Sequence, residues 1–396
     1  MAGLPPIYSP STLCPIYSET PGSTERILQH TPLPHHSRLT GKFIRTEHII
    51  TVVLDGQKEN CRWPSFGRGA LLSGTLLLDS HETVTTVSIK FQGILESLSL
   101  TTGYSRSKVV DQLSSVYIKG GSQGRCPSAI PFSHRFPSTF KHNGSNYPLP
   151  PSCDITLPEG SFLKCTYSLT VTVTAPVHRS IPFFSKDRSL VIELEYRQRT
   201  RPSRPRISEP SLLSTIKTCP EEWLQLPVAL TAGPDSRASD VYCDLFVPSV
   251  GVFGITETVP FHLQLSGSFG SLRELFLLRS NLERSTPSQP IRVYLLRQIV
   301  VAAAKINTIL GEGSLKSIPP AIYDLPSKFE PALNWEGEIQ LQDLTTPTFD
   351  AGTFSVMYLI AVELSPPETS TMNRAHYGYP IKLTTDTWVG SAEQGD

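Results

Sequence analysis

Apolar and polar residues alternate over many segments of the chain, which is the spacing of a β-strand with one face in a core and one in water. The clearest segment is KCTYSLTVTVTA, whose apolar positions are Cys165, Tyr167, Leu169, Val171 and Val173. VSIKF, VYCDLFVP, PFHLQL, RVYLLRQIVV and FSVMYLIAVEL follow the same rule. HIITVVLDG ends in Asp55-Gly56, a pair typical of hairpin turns. Because amphipathic helix patterns are scarce, we predict an all-β protein.

The alternating segments form two runs, separated by RQRTRPSRPRISEPS with its five arginines and three prolines. Proline cannot donate to a strand ladder, so this separator is predicted to be a loop or linker. Tyr167-Ser-Leu-Thr-Val in the first run is similar to Tyr358-Leu-Ile-Ala-Val in the second. We therefore predict two tandem immunoglobulin-like β-sandwiches at residues 41–197 and 223–388, joined by a basic, proline-rich linker at 198–222.

Residues 1–40 have no apolar periodicity and are rich in proline, serine and threonine. Such a segment buries too little apolar surface to offset its chain entropy, so we predict a disordered tail with polyproline II character. A second, short tail is predicted at 389–396.

The N-terminal tail contains Pro5-Pro6-Ile7-Tyr8, a PPxY motif of the kind that WW domains bind. A polyproline II segment is already extended, so it loses little entropy on docking. With 35 prolines and 13 tyrosines in 396 residues, the composition predicts roughly 0.1 such tetrads by chance. The motif is therefore a candidate ligand, with an accidental tetrad as the alternative.

A second copy of the motif, Cys14-Pro15-Ile16-Tyr17, lacks the first proline. Pro15 and Tyr17 form a second ligand if tandem WW domains bind both copies, because linkage raises avidity without a new contact. A degenerate copy that does not bind is the simpler interpretation.

Two serines are candidate phosphorylation sites. Ser9 precedes Pro10, and a phosphate there would add negative charge beside Tyr8. Ser208 follows Arg204 by four residues and precedes Pro210 by two, which partly resembles sites that 14-3-3 proteins recognise. For the linker arginines, a solvated basic loop is the simpler interpretation, and contact with anionic lipid headgroups is a further alternative.

The charge and cysteine content narrow the class of protein. Thirty-five basic residues balance 35 acidic ones, which removes any whole-chain electrostatic argument for nucleic-acid binding. The seven cysteines are dispersed and never form C-x-x-C, so we expect reduced thiols, several on apolar strand faces. No signal peptide precedes the strands, and the longest apolar stretch, IVVAAA, is far too short to span a bilayer. We expect a cytoplasmic protein.

Several segments together resemble the arrestin fold, and specifically the α-arrestin (arrestin-related trafficking adaptor) family of fungi. In the first run these segments are GALLSGTLLLDS, AIPFSHRFPSTF and PLPPSCDITLPEGSFLKCTYSLTVTV. In the second run they are CDLFVPSVGVFGITETVPFHLQLSGSFGSL and GTFSVMYLIAVEL. The resemblance covers about residues 41–388. The sequence departs from the family pattern in two respects. Its PPxY motif precedes the folded region, whereas in the best-known animal members it follows that region. Its loop at about 103–126 also looks long.

The resemblance implies a non-catalytic adaptor that presents an integral membrane protein, such as a transporter or receptor, to a HECT-type ubiquitin ligase bound at Pro5, Pro6 and Tyr8. Cargo ubiquitination and endocytosis would follow, with recruitment of the protein to the plasma membrane or endosomes through peripheral contact only. A scaffold of the same fold that uses no ligase is the alternative.

A β-sandwich enzyme is a third interpretation, from a different functional class. The chain contains no G-x-S-x-G, H-E-x-x-H, P-loop or GxGxxG motif, and no catalytic carboxylate pair can be recognised. No histidine cluster has cysteine or carboxylate partners at ligand spacing, so we expect neither a metal nor a cofactor.

Overall fold

The computed structural model describes residues 40–120, 124–157, 159–178, 181–205, 212–233, 238–276, 290–301, 304–318, 332–341, 344–368 and 370–388. Strands make up almost all the regular structure in these ranges, which also contain two short α-helices. The all-β prediction is therefore confirmed. Residues 1–39 and 389–396, which hold the two predicted tails, lie outside the described ranges.

Two sheets and a separate hairpin are formed by the first half of the chain. Its strands are β1 (Gly41–Glu47), β2 (Ile50–Gln57), β3 (Ser65–Phe66), β4 (Leu71–Leu78), β5 (Thr86–Ser99), β6 (Gly103–Ile118), β7 (Ala129–Arg135), β8 (Thr139–His142), β9 (Ser145–Pro148), β10 (Cys153–Thr156), β11 (Phe162–His178) and β12 (Ile181–Tyr196). One sheet has the order β1-β2-β4-β7, and the other has the order β3-β12-β11-β5-β6 with β10 beside β11. Strands β8 and β9 pair only with each other.

The second half repeats this plan with two further sheets. Its elements are α1 (Leu212–Thr218), β13 (Trp223–Leu230), β14 (Val241–Pro248), β15 (Val252–Gly254), β16 (Thr258–Ser266), α2 (Phe269–Phe276), β17 (Ile291–Val301), β18 (Ala304–Glu312), β19 (Ser314–Ile318), β20 (Ala332–Gln340), β21 (Phe349–Asp350), β22 (Phe354–Leu364) and β23 (Ala375–Thr384). One sheet has the order β13-β14-β16-β20-β19, and the other has the order β15-β23-β22-β17-β18 with β21 beside β22.

Most strands of the two halves follow the same order, which confirms the prediction of two tandem sandwiches. In each half, the second sheet places a short parallel strand (β3 or β15) beside the last long strand (β12 or β23). Each half also pairs a short strand (β10 or β21) with the long strand that follows it in the chain (β11 or β22). A single shared element would carry little weight, but one sheet recurs strand for strand, and the other recurs with β19 added at its edge.

A buried tyrosine occupies the equivalent strand of each sandwich. The hydroxyl of Tyr167 on β11 donates a hydrogen bond of 2.6 Å to the carbonyl of Pro150. The hydroxyl of Tyr358 on β22 donates one of the same length to the carbonyl of Thr346. Each bond ties a central strand to the irregular segment that precedes it in the chain. The two segments of similar sequence thus have equivalent structural roles.

The core of the first sandwich contains an aromatic cluster around Phe136. Its ring centroid lies 4.6 Å from that of Phe91 and 5.2 Å from that of Tyr196. Phe66 and Tyr167 complete the cluster at 5.3 and 5.9 Å. The four partner rings all come from the sheet β3-β12-β11-β5-β6. Phe136 directly follows β7 of the other sheet, so its ring joins the two layers of the sandwich.

The structure differs from the sequence-based expectation at Asp55-Gly56. We expected a turn there, but β2 continues to Gln57 and pairs with β1 on both sides of the dipeptide. The register shifts between Gly41 and Lys42, and Gly56 adopts a positive φ of 68°. Gly56 is therefore the extra residue of a β-bulge, a conformation that asks for glycine as a tight turn does.

The expected long loop at about 103–126 is also wrong. Residues 103–118 form β6, which pairs with β5 along its length. Its two faces show no regular apolar alternation because β6 is an edge strand with much of its surface exposed. Polar contacts join it to β5 instead: Arg106 lies 3.5 Å from Glu96, and Lys90 lies 3.6 Å from Asp111.

Candidate functional site

The candidate ligand motifs of the tail lie outside the described residues. These are Pro5, Pro6, Tyr8, Ser9, Pro15 and Tyr17. The linker residue Ser208 also lies outside them. The described chain begins at the edge strand β1, where Gly41 pairs with Gln57. The tail therefore joins the folded region at one edge of the first sandwich.

The arginines in the first part of the linker make contacts within the chain, although Arg197 and Arg204 remain exposed. The four described arginines have these partners: Arg197 with Glu195 at 2.9 Å, Arg199 with Asp386 at 3.9 Å, Arg201 with the Trp388 ring at 6.0 Å, and Arg204 with Glu222 at 3.0 Å. Exposed ion pairs of this kind each contribute little stability. Together they give these guanidinium groups intramolecular partners along the linker.

Thr200 ties the linker to the end of β23. The backbone N–H of Thr200 donates to the hydroxyl of Thr385 at 2.9 Å, and that hydroxyl in turn donates to the Thr200 carbonyl at 3.1 Å. The backbone N–H of Asp386 donates to the same carbonyl at 2.9 Å. Thr200 is buried, so these bonds satisfy polar groups that water cannot reach.

We predict that Thr385→Val loosens this attachment, because the buried N–H of Thr200 loses its acceptor. An unsatisfied buried donor costs about 1–3 kcal/mol. The expected result is faster tryptic cleavage after Arg197 and Arg199, which are not followed by proline, measured by limited proteolysis and mass spectrometry. Thr387→Val is the matched control, since the hydroxyl of Thr387 makes no hydrogen bond in the described structure. Equal cleavage rates for the two variants would contradict the role of the Thr200–Thr385 bonds.

A second contact between the two sandwiches involves the hairpin of β8 and β9. Asn143 and Gly144 form its two-residue turn, both with positive φ. The ring of Tyr147 packs against Gly352, where a Cβ atom would lie 2.8 Å from the ring. His142 Nε2 lies 3.0 Å from the hydroxyl of Thr353. Nothing in the sequence predicts this contact, because its residues meet only in the folded chain.

The last part of the linker forms helix α1, which we did not expect from the sequence. This helix packs on the outer face of the sheet β13-β14-β16-β20-β19, against β16. We call the surface below it the helix seat, defined as Trp223, Phe246, Pro248 and His262. The cross-strand pairs Trp223–Pro248 and Phe246–His262 place these residues side by side. The indole N–H of Trp223 donates to the Thr215 hydroxyl of α1 at 3.1 Å.

His262 is the unexpected member of the helix seat. It occupies a polar position in the alternation of PFHLQL, which predicts exposure, yet its side chain is only 1% exposed. Its Nε2 lies 3.3 Å from Asn334 Oδ1, and its ring lies 5.8 Å from that of Phe246. Its Nδ1 is buried and has no hydrogen-bond partner among the described residues. Burial lowers the pKa of His262, although the Asn334 hydrogen bond and the Glu336 charge oppose this.

The thiols of the described residues are all free, as expected from the sequence. Burial raises the pKa of Cys153 and of Cys243 to about 12, and it raises the pKa of Cys165 well above its ordinary value. The thiolate is the nucleophilic form of cysteine. These three thiols therefore stay protonated and serve as packing groups of the two cores.

Neither a group of metal ligands nor a membrane-spanning helix occurs in the described ranges. No group of three or more His, Cys, Asp or Glu side chains in them is arranged to hold a metal ion. No helix in them has the length and apolar character needed to cross a membrane.

Comparison with known proteins leaves the family open. No protein-family model matches the chain, and no curated protein matches it either.

Proposed function

We propose that the protein is a non-catalytic adaptor of the α-arrestin type, which links an integral membrane cargo protein to a WW-domain HECT ubiquitin ligase. The observation that carries the proposal is the PPxY motif at residues 5–8, placed ahead of two tandem β-sandwiches of closely similar strand order. The tail binds the ligase, and the sandwiches bind the cargo. Ubiquitination and endocytosis of the cargo follow.

The arrangement of the folded region supports a scaffold role. The Thr200–Thr385 bonds hold the linker to the second sandwich, and the contact of Tyr147 with Gly352 joins the two sandwiches directly. A relative orientation held in this way keeps loops from both sandwiches in place for one partner. The ligase motif lies more than 30 residues before β1, so a bound ligase reaches lysines at varied distances.

The proposal is tested by the affinity of the full chain for isolated WW domains of such a ligase. We expect Tyr8→Ala to weaken binding by about thirtyfold or more, because the tyrosine ring is the anchor that fills its own pocket. Isothermal titration calorimetry measures the change.

Tyr17→Ala is the matched control for this experiment. It removes the same ring from the copy that lacks the first proline, and we expect a change of less than threefold. Wild-type binding that Tyr8→Ala leaves unchanged would reject the ligase role and favour the alternative, an arrestin-like scaffold without a ligase.

A further inference from the structure

His262 lies on β16, the strand that helix α1 packs against. Its pairing with Phe246 places the imidazole on the outer face of the sheet, where it is buried. Polar groups of α1 also bond within the helix seat, since Thr215 accepts from Trp223. A buried donor or acceptor without a partner is expensive, and Nδ1 of His262 is such a group. The structure with α1 docked therefore already carries the cost of one unsatisfied nitrogen.

Protonation would turn that nitrogen into a buried cationic donor. Ionisable groups on the elements packed against His262 are Asp244 on β14, Glu336 and Glu338 on β20, and Lys217 on α1. Glu336 is the cross-strand neighbour of His262, but its carboxylate is paired with Lys316 at 3.1 Å. Asp244 and Glu338 sit one cross-strand pair away, opposite Gln264 and Pro260. No described carboxylate lies within salt-bridge distance of the imidazole.

We propose that His262 is a pH-sensitive latch, which holds α1 on the second sandwich while neutral and releases it when protonated. Release exposes the imidazole to water, where the cation is solvated and Nδ1–H finds an acceptor. The segment released is the end of the linker, residues 212–218, which follows Ser208 by four residues in the sequence. The proposal is independent of ligase binding by the tail.

The direction of the pH effect follows from linkage. Burial lowers the pKa of His262 in the docked state, so the released state binds the proton first as pH falls. Docking is therefore strongest above the ordinary histidine pKa of about 6.5 and weakens below it. Between pH 7 and 5.5 the equilibrium constant for docking of α1 falls by about eightfold at most. This limit applies when the docked state never binds the proton.

The test is hydrogen–deuterium exchange of the full chain between pH 7.5 and 5.0, read as protection factors for peptides covering residues 212–223. In the wild type we expect protection of α1 to fall by between twofold and eightfold from pH 7 to 5.5, with β14 and β16 unchanged. In His262→Gln, which keeps a donor near the Nε2 position and has no titratable proton, we expect protection to stay constant.

His134→Gln is the matched control, because burial also lowers the pKa of His134, which lies on β7 of the first sandwich. This variant is expected to keep the pH response of α1. Constant wild-type protection, a parallel fall in His262→Gln, or an equal loss in β14 and β16 would each overturn the proposal. If His262→Gln does not fold, an imidazole NMR titration of the wild type decides: a His262 midpoint at or above pH 6.5 overturns the latch.

Discussion

Replacing Phe136 with alanine is expected to lower the free energy of unfolding of the first sandwich by about 3–5 kcal/mol, the usual cost of truncating a buried phenylalanine. The ring is 1% exposed and contacts four other aromatic rings. Its loss removes apolar burial and leaves a cavity that Tyr167 cannot fill without giving up its hydrogen bond to Pro150. Urea denaturation monitored by circular dichroism measures the change.

Phe269→Ala is the control for this prediction. It removes the same side chain from a position that is 72% exposed at the start of α2, where a surface substitution changes stability by about 0.5 kcal/mol or less. Similar losses in the two variants would show that the cluster around Phe136 does not hold the first sandwich together.

Gly93→Ala is expected to destabilise the same sandwich by about 1–3 kcal/mol, because the added methyl group overpacks the core. Gly93 pairs with Tyr167 across β5 and β11. A Cβ atom at residue 93 would lie 2.7 Å from the tyrosine ring and 2.8 Å from Val109. The ring packs over a residue without a side chain, a known way to fill the gap that a strand glycine leaves.

The melting temperature of the Gly93→Ala variant measures this effect, with Gly270→Ala as the control. A Cβ atom at Gly270 in α2 has nothing within 4 Å, so alanine is expected to leave stability unchanged or raise it by about 0.5–1 kcal/mol. An unchanged melting temperature for Gly93→Ala would mean that Tyr167 moves aside at no cost.

Strands with one buried face could be predicted because their apolar period is a property of neighbouring residues. On β11, the five residues predicted to face inward are all buried, and the threonines between them are partly exposed. The same argument failed for β6, where pairing with β5 substitutes for an apolar face. The sequence-based prediction also failed at Gly56, since a turn and a bulge require the same backbone conformation.

The helix seat could not be predicted, because nothing near residue 262 in the sequence indicates what covers it. His262 has the spacing of an exposed strand residue, yet it is buried, and α1 packs against the strand that holds it. The partners of the linker arginines could not be predicted from the sequence either. Their sequence is that of a solvated basic loop, while their partners Glu195, Glu222, Asp386 and Trp388 include residues almost 190 positions away.

Alternation along the chain thus determined the all-β class and the inward faces of the strands, and composition and turn residues determined the two-part organisation. The PPxY motif likewise needs nothing beyond its own four residues. Tertiary structure alone decided the burial of His262, the attachment of the linker through Thr200 and the packing of Tyr167 over Gly93. The physical reason is range: side-chain alternation follows from local backbone geometry, whereas the burial of a polar group depends on segments that meet only when the whole chain has folded.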